Sequence, residues 1–251
     1  MKETTSAVLI IGNEILSGRT KDENVKYIAL KLSKIGIKLA EVKIIPDIKE
    51  EIISSVNGLR KKYSYVFTTG GIGPTHDDIT SESISKAFKV KYEIHKDAYK
   101  ILEDYYPPGK LNEGRIKMTK MPRGAKLIKN SITVAPGFYI DNVYVLAGVP
   151  KIMQAMFIDL IKNLKSGDPI INITITTDLY ESILAKSLEQ IQKDFNNCEI
   201  GSYPYFNFER KIGGVNIVVS GKDKSYLNTV EKKIITKINK LGGKVKQNNS
   251  L

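Results

Sequence analysis

Thr68-Thr69-Gly70-Gly71-Ile72-Gly73-Pro74-Thr75-His76-Asp77-Asp78-Ile79-Thr80 decides how this chain reads. Just before it, Tyr65 to Thr69 is rich in β-branched and aromatic residues and predicts a short buried strand. Just after it, Ser81 to Phe88 predicts a helix, with Thr80 as its N-cap and Glu82 in its first turn. A strand, a glycine-rich turn and a helix aim backbone N–H groups and a helix N-terminus at one point, which suits an anion such as a phosphate. Glycine lets the backbone approach a ligand and adopt positive φ. Asp77 and Asp78 then place two carboxylates beside that anion, and the repulsion calls for a cation. A divalent ion such as Mg²⁺, which takes oxygen ligands, meets the need. Gly70, Gly71, Gly73, Pro74, Thr75 and Glu82 are therefore candidate ligand-binding residues, and Asp77 and Asp78 candidate catalytic residues and metal ligands. A bare G-G-x-G is also a common structural turn, so the glycines alone fix no ligand.

Upstream, Ala7 to Ile11 is an apolar run, the mark of a central strand buried on both faces. Glu14 follows it directly, where open α/β sheets place ligand groups; it is a candidate catalytic base or second metal ligand, or else a solvated loop acid. Val25, Ile28, Ala29, Leu32 and Ile35 fall at helical spacing over Asn24 to Ile35, closed by Gly36. Ile37 to Ile45 predicts a strand. By position, Asp47 reads as the cap of the next helix, Lys49 to Arg60.

Downstream, helices are predicted over Lys96 to Tyr105 and Leu111 to Thr119. Ile132 to Ile140 and Asn142 to Leu146 predict paired strands, followed by a helix from Pro150 to Leu164 with proline at its first position. The alternation of strands and helices predicts an α/β fold, a mostly parallel sheet covered on both faces. Lys165-Ser166-Gly167-Asp168-Pro169 is the linker, which bounds a first domain at 1–165 and a second at 169–245. In the second, strands at Ile170 to Thr177, Glu199 to Phe206 and Val215 to Gly221 alternate with helices at Tyr180 to Phe195 and Ser225 to Leu241. Lys244 to Leu251 is a polar tail expected to fray.

The extended string from Gly70 to Thr80 resembles the signature of the molybdopterin-binding-like (MoaB/Mog) domain of molybdenum-cofactor proteins. Its form is that of the competence/damage-inducible protein A (CinA) family: cofactor-synthesis members usually carry Arg where Asp77 stands, and the Asp-Asp pair is CinA-like. Gly12-Asn13-Glu14-Ile15-Leu16-Ser17-Gly18, Met121-Pro122-Arg123-Gly124-Ala125 and Ala135-Pro136-Gly137-Phe138 resemble further motifs of that family. The resemblance adds Asn13, Asp47, Pro136 and Gly137 to the ligand-binding set, with Asp47 as an acidic position near the ligand. It implies a three-layer molybdopterin-binding-like domain followed by a small α+β KH-like domain of β-α-β-β-α order, the latter also through Gly201-Ser202-Tyr203-Pro204-Tyr205. Two departures are visible: Thr133-Val134 stands where the family has Gly-Thr or Gly-Ser, and Ala147-Gly148-Val149-Pro150 where it has Pro-Gly-Val-Pro.

Some CinA-like first domains hydrolyse the pyrophosphate of ADP-ribose, and the related domain of eukaryotic FAD synthase hydrolyses FAD. The resemblance thus implies a metal-dependent nucleotide pyrophosphatase using Mg²⁺, Mn²⁺ or Co²⁺. The alternative is a non-hydrolytic binder of a molybdopterin-like or nucleotide ligand. Longer members carry a further domain that deamidates nicotinamide mononucleotide, an activity not expected of this chain. Related proteins associate, and a homodimer is expected.

Of the 251 residues, 41% are hydrophobic and 26% charged, an ordinary globular composition. One cysteine, Cys198, allows no internal disulfide, and the opening apolar run is too short for a signal-peptide core, which together point to the cytoplasm. No apolar stretch reaches membrane-spanning length. The net charge of +12 is spread over every segment rather than gathered on one, so nucleic acid is not the expected partner. No G-x-x-G loop of the RNA-clamping kind occurs between 166 and 251. The expected partner is a phosphate-containing small molecule, which a positive field would attract. His76 is read as a surface residue, His95 as a helix cap or surface residue, and Tyr203 and Tyr205 as packing or interface residues.

Overall fold

β1 (Thr5–Ile11) is the strand on which the first half of the chain is built. Its side chains alternate between two apolar clusters, with Ala7, Leu9 and Ile11 in one and Val8 and Ile10 in the other. Burial on both faces is why this stretch reads as unbroken apolar sequence. The computed structural model describes residues 4–165, 167–209 and 212–246. The chain forms two units, Met1–Gly167 and Asp168–Leu251.

In the first unit β1 is followed by α1 (Asn13–Leu16), α2 (Asn24–Lys34), β2 (Lys38–Ile45), α3 (Lys49–Lys62), β3 (Tyr65–Thr69) and α4 (Thr80–Ala87). Then come β4 (Tyr92–Ile94), α5 (Lys96–Tyr105), α6 (Glu113–Lys117), β5 (Lys120–Pro122), β6 (Lys126–Ile128), β7 (Gly137–Ile140), β8 (Val143–Leu146) and α7 (Pro150–Leu160). Six strands pair in the order β2-β1-β3-β8-β7-β6. The first four run parallel, β7 pairs antiparallel with β8, and β6 pairs antiparallel with β7. Ile52, Val56 and Leu59 of α3 and Ile84 of α4 cover one face, while Ile28 and Leu32 of α2 and Met153 and Phe157 of α7 cover the other. The expected three layers and mostly parallel sheet are therefore present. Burying a side chain such as Phe67, which meets Phe157 edge-on at 5.3 Å, stabilises the unit by roughly 1.5–3 kcal/mol.

This winding positions the site. The helix after β1 lies on one face and the helix after β2 on the other, so the chain switches direction beside β1. The carboxyl ends of β1, β2, β3 and β8 share one edge of the sheet, where doubly wound sheets open a crevice.

Several local expectations give way. Ile132 to Pro136 is not strand, and β7 begins only at Gly137. The Asn130 side chain is the cause. Its Oδ1 accepts the N–H groups of Ile132 (3.0 Å) and Thr133 (3.3 Å), and its Nδ2 donates to Thr133 Oγ1 (2.6 Å) and Ala135 O (2.9 Å). Such local bonds compete with a sheet ladder. Thr80 is the first residue of α4 rather than its N-cap, and its buried hydroxyl has no hydrogen-bond partner. The helix expected over Leu111 to Thr119 shrinks to Glu113–Lys117 because the Asn112 side chain caps it, accepting Arg115 N–H at 3.0 Å. His95 caps α5, its Nδ1 accepting Ala98 N–H at 3.4 Å.

The second unit runs β9 (Ile171–Thr177), α8 (Glu181–Asp194), β10 (Glu199–Asn207), β11 (Ile212–Gly221), α9 (Lys224–Lys240) and β12 (Val245–Lys246). Its sheet is antiparallel, in the order β10-β11-β9-β12. Leu184, Leu227, Val230 and Ile234 of the helices pack on Ile175, Val215, Ile217 and Val219. It is a small α+β unit, but β12 adds a sixth element to the five-element KH-like order expected. The result is the β-α-β-β-α-β arrangement of ferredoxin-like folds. β12 falls within the expected polar tail, whose residues 247–251 lie outside the described ones. Cys198 is buried in this core, where desolvation pushes its thiol up. No helix of the described residues is long and apolar enough to cross a membrane.

Candidate functional site

A cavity of about 500 Å³ opens at the carboxyl edge of the parallel strands of the first unit. Ile11 and Glu14 line it after β1, Asp47 after β2, Gly70 to Pro74 with Asp77 and Asp78 after β3, and Ala147 to Pro150 after β8. Met118, the Asn130–Pro136 loop, Thr20, and Ile152 and Met156 of α7 complete it.

The glycines are needed for close approach. Gly70 has φ +103, and a Cβ there would lie 2.1 Å from Ile11 O. Gly148 lies against it from β8, so three strand ends converge on one residue without a side chain. At Gly71, with φ +68, a Cβ would meet Thr80 Oγ1 at 2.2 Å. Gly71 O accepts the N–H of Thr80, the first residue of α4, at 3.0 Å. None of Ile79, Thr80, Ser81 and Glu82 lines the cavity. The loop backbone therefore faces the ligand space, while the helix N-terminus expected there is folded against its own glycine turn.

Asp78 is fixed by Thr75. Both the N–H (2.8 Å) and the hydroxyl (2.6 Å) of Thr75 donate to Asp78 Oδ2. Asp78 Oδ1 takes no hydrogen bond from any described residue and remains for a ligand. Asp77 is held below the ordinary carboxylate range, first by the Thr75 side chain beside it, then by its own backbone N–H, with the charges of His76 and Lys117 adding. Asp47 does not cap α3, whose N-cap is Ile48 without a side-chain bond. Its Oδ2 instead accepts Asn13 N–H at 2.9 Å. The Glu14 carboxylate folds over Gly12, where a Cβ would come within 2.5 Å of it.

The structure thus brings Glu14, Asp47, Gly70, Gly71, Gly73, Pro74, Asp77, Asp78 and Pro136 together on one wall. Four other predicted residues stand off it. Asn13 serves through its backbone, and Thr75 stands behind Asp78. Gly137 is a packing glycine of β7, where a Cβ would come within 2.6 Å of Val145 O. Glu82 is tied up by Lys49 (2.7 Å) and Lys86 (3.6 Å). Sequence reasoning missed Met118 and Asn130, which carry no motif of their own, and read Thr133 only as a departure from the family pattern. It also missed Asn24, whose Nδ2 donates to Gly148 O at 2.9 Å.

Among the described residues the lining carries four carboxylates, Glu14, Asp47, Asp77 and Asp78, and no Lys, Arg or His. No group of three or more His, Cys, Asp or Glu among the described residues gathers closely enough to cage an ion alone. This all-oxygen set fits a hard divalent cation held by one or two carboxylates and completed by phosphate oxygens and water, and does not fit an all-protein metal cage.

Comparison with known proteins shows the family of the fold. Residues 7–166 match the family described as "Probable molybdopterin binding domain", and residues 169–243 match "FAD synthase, middle domain". A protein of Archaeoglobus fulgidus is 34% identical over 86% of this chain and 90% of its own length. One from Sulfolobus acidocaldarius is 32% identical over 98% of this chain and 99% of its own. The crystal structure of the protein CinA "with unknown function" from Thermoplasma acidophilum superimposes with a TM-score of 0.61 at 30% identity, covering 65% of this chain and 99% of that one. With its glycine loop, its carboxylates and its sheet order in place, the chain belongs to the probable molybdopterin-binding domain family, in a form similar to CinA.

Proposed function

We propose that the first unit is a metal-dependent nucleotide pyrophosphatase that cleaves the diphosphate of ADP-ribose or of a similar dinucleotide such as FAD. The observation that carries this is the charge pattern of the cavity: a glycine loop shaped for close approach, beside four carboxylates, with no cationic side chain in the lining. A diphosphate enters such a wall only together with a cation. Asp78, through Oδ1, and Asp77 would hold a divalent ion, which when bound neutralises diphosphate charge and lowers the pKa of an attacking water. The backbone of Gly70 to Gly73 presents N–H groups to a phosphate. Glu14, half-buried and next to the loop, accepts the proton of the attacking water. Ile11, Ile72, Met118, Ile152 and Met156 give the same cavity an apolar side for a base ring. The match of the second unit to the middle domain of FAD synthase supports a dinucleotide over a mononucleotide.

A second reading, non-hydrolytic binding of a molybdopterin-like ligand, is favoured by the family description and by Val134 and Ala147, which replace family residues on or beside the cavity loops. Metal dependence separates the two. Product release from ADP-ribose, FAD, NAD and CoA is measured with Mg²⁺, Mn²⁺ or Co²⁺ and with chelator, for the wild-type protein and Asp78→Asn. Asn still accepts the Thr75 bonds but removes the charge. Metal-dependent release abolished in Asp78→Asn is the expected result. A folded wild-type protein that turns over none of the four leaves the binding reading in its place.

A further inference from the structure

Helix α6 reaches the glycine loop from far down the chain. A Cβ on Gly114 would lie 3.3 Å from Pro74 Cβ, so the helix packs directly on the loop. The Lys117 ammonium donates to Thr75 O, a carbonyl 42 residues earlier. The same carbonyl accepts Asp78 N–H at 3.2 Å, while the Thr75 N–H and hydroxyl hold Asp78 Oδ2. Lys117 is half-buried and presented by a braced turn. Asn112 caps that turn, and the Arg115 guanidinium stacks 3.8 Å over Tyr106 and donates to Lys110 O. The next residue, Met118, lines the cavity. Lys117 itself is not part of the lining, and its charge lies beside Asp77.

We propose that Lys117 is a positioning residue for the candidate site: by holding Thr75 it keeps Asp78 with Oδ2 engaged and Oδ1 free for a ligand. It also relieves the repulsion between the adjacent Asp77 and Asp78 carboxylates. A lysine suits both tasks, because its ammonium offers several donors on a flexible stem. Removing it leaves the Thr75 carbonyl with one donor instead of two and lets the turn carrying Asp78 relax. The consequence for metal binding rests on the pyrophosphatase reading. The consequence for the loop does not.

The test uses the full chain as wild type, Lys117→Met and Lys117→Arg. Amide hydrogen exchange is followed in peptides covering residues 70–80, and Mn²⁺ affinity is read from the paramagnetic signal of the free ion. Lys117→Met is expected to speed exchange in the loop alone by about tenfold and to weaken Mn²⁺ binding by about tenfold, the scale of lost support behind a metal ligand. Lys117→Arg, which restores charge and donor, is expected to recover both. If Lys117→Met unfolds the unit, Lys117→Leu, which likewise has neither charge nor donor, gives the same contrast. Unchanged loop exchange overturns the proposal. Faster exchange spread over the whole first unit without rescue by Arg also overturns it, since that describes an ordinary structural lysine. A wild-type protein that binds no Mn²⁺ sinks the metal-dependent reading, and the exchange result still decides Lys117.

Discussion

Asp47, beyond the end of β2, binds the backbone N–H of Asn13, beyond the end of β1, at 2.9 Å. That bond ties two neighbouring strand ends and holds the Gly12–Leu16 turn that carries Glu14 into the cavity. Asp47→Ala should lower the stability of the first unit by about 1 kcal/mol, the net worth of one hydrogen bond. It should reduce turnover further, because Glu14 loses its fixed place. Asp47→Asn keeps an acceptor and should retain most of the stability. Urea unfolding of the two variants decides the point: equal stability of Asp47→Ala and wild type would show that the tie does not matter.

Glu82, in the first turn of the helix after the motif, belongs to a surface ion-pair cluster. Its carboxylate is 2.7 Å from Lys49 and 3.6 Å from Lys86, and it is held below the ordinary range first by the Lys49 hydrogen bond. Exposed pairs of this kind contribute up to about 1 kcal/mol. The sign follows from the depressed pKa: the contribution is present above the ordinary carboxylate range and is lost as pH falls through it. Glu82→Gln should leave turnover within about twofold of wild type and cost less than about 1 kcal/mol near neutral pH. A large loss of activity with normal folding would return Glu82 to the site.

Where period and motif agreed, the sequence was enough to read the fold. The apolar run of β1 gave a central strand because both faces are covered, and Gly70 gave a loop because Ile11 O leaves no room for a side chain. Glu14, Asp77 and Asp78 could be read as candidates from their places after parallel strands, and they line one cavity because those strands end at the same edge; Asp47 read by position as a helix cap and joined them only through the family resemblance. What was illegible depended on single side chains acting at a distance. Asn130 turns an apparent strand into a loop by taking four hydrogen bonds. β4, β5 and β6 are three residues each, too short for a period to show. Lys117 meets Thr75 only through the tertiary fold.

Val134 follows from the same loop. It has φ 58, in the left-handed region where a β-branched residue is strained. The Asn130 bonds on either side hold it there. Strain of this kind is of order 1–3 kcal/mol. Asn is tolerated in that region far better than Val, so Val134→Asn should raise the stability of the first unit by about 1 kcal/mol. Thermal unfolding measures it, and a lower melting temperature would show that packing of the Val134 side chain outweighs its backbone strain.

Two half-buried phenols shape the behaviour in alkali. Desolvation pushes Tyr92 of β4 up to about 12, with the charge of Glu82 adding to it. Desolvation likewise pushes Tyr144 of β8 up to about 12, helped by Tyr65, Tyr139 and Asp141. In the unfolded chain each returns to its ordinary 10.0. A raised folded pKa means that the unfolded state releases its proton first. Stability is unaffected by these groups below about pH 10, and falls as pH rises from about 10 to 12. Lysines titrate in the same window, so the contrast must come from variants. Tyr92→Phe and Tyr144→Phe cannot ionise, and each should flatten the fall in unfolding free energy across that window while leaving neutral-pH stability little changed. Urea unfolding in steps across the window, on wild type and both variants, gives the slopes. Identical slopes in all three would show that neither phenol is shielded from solvent in the folded protein.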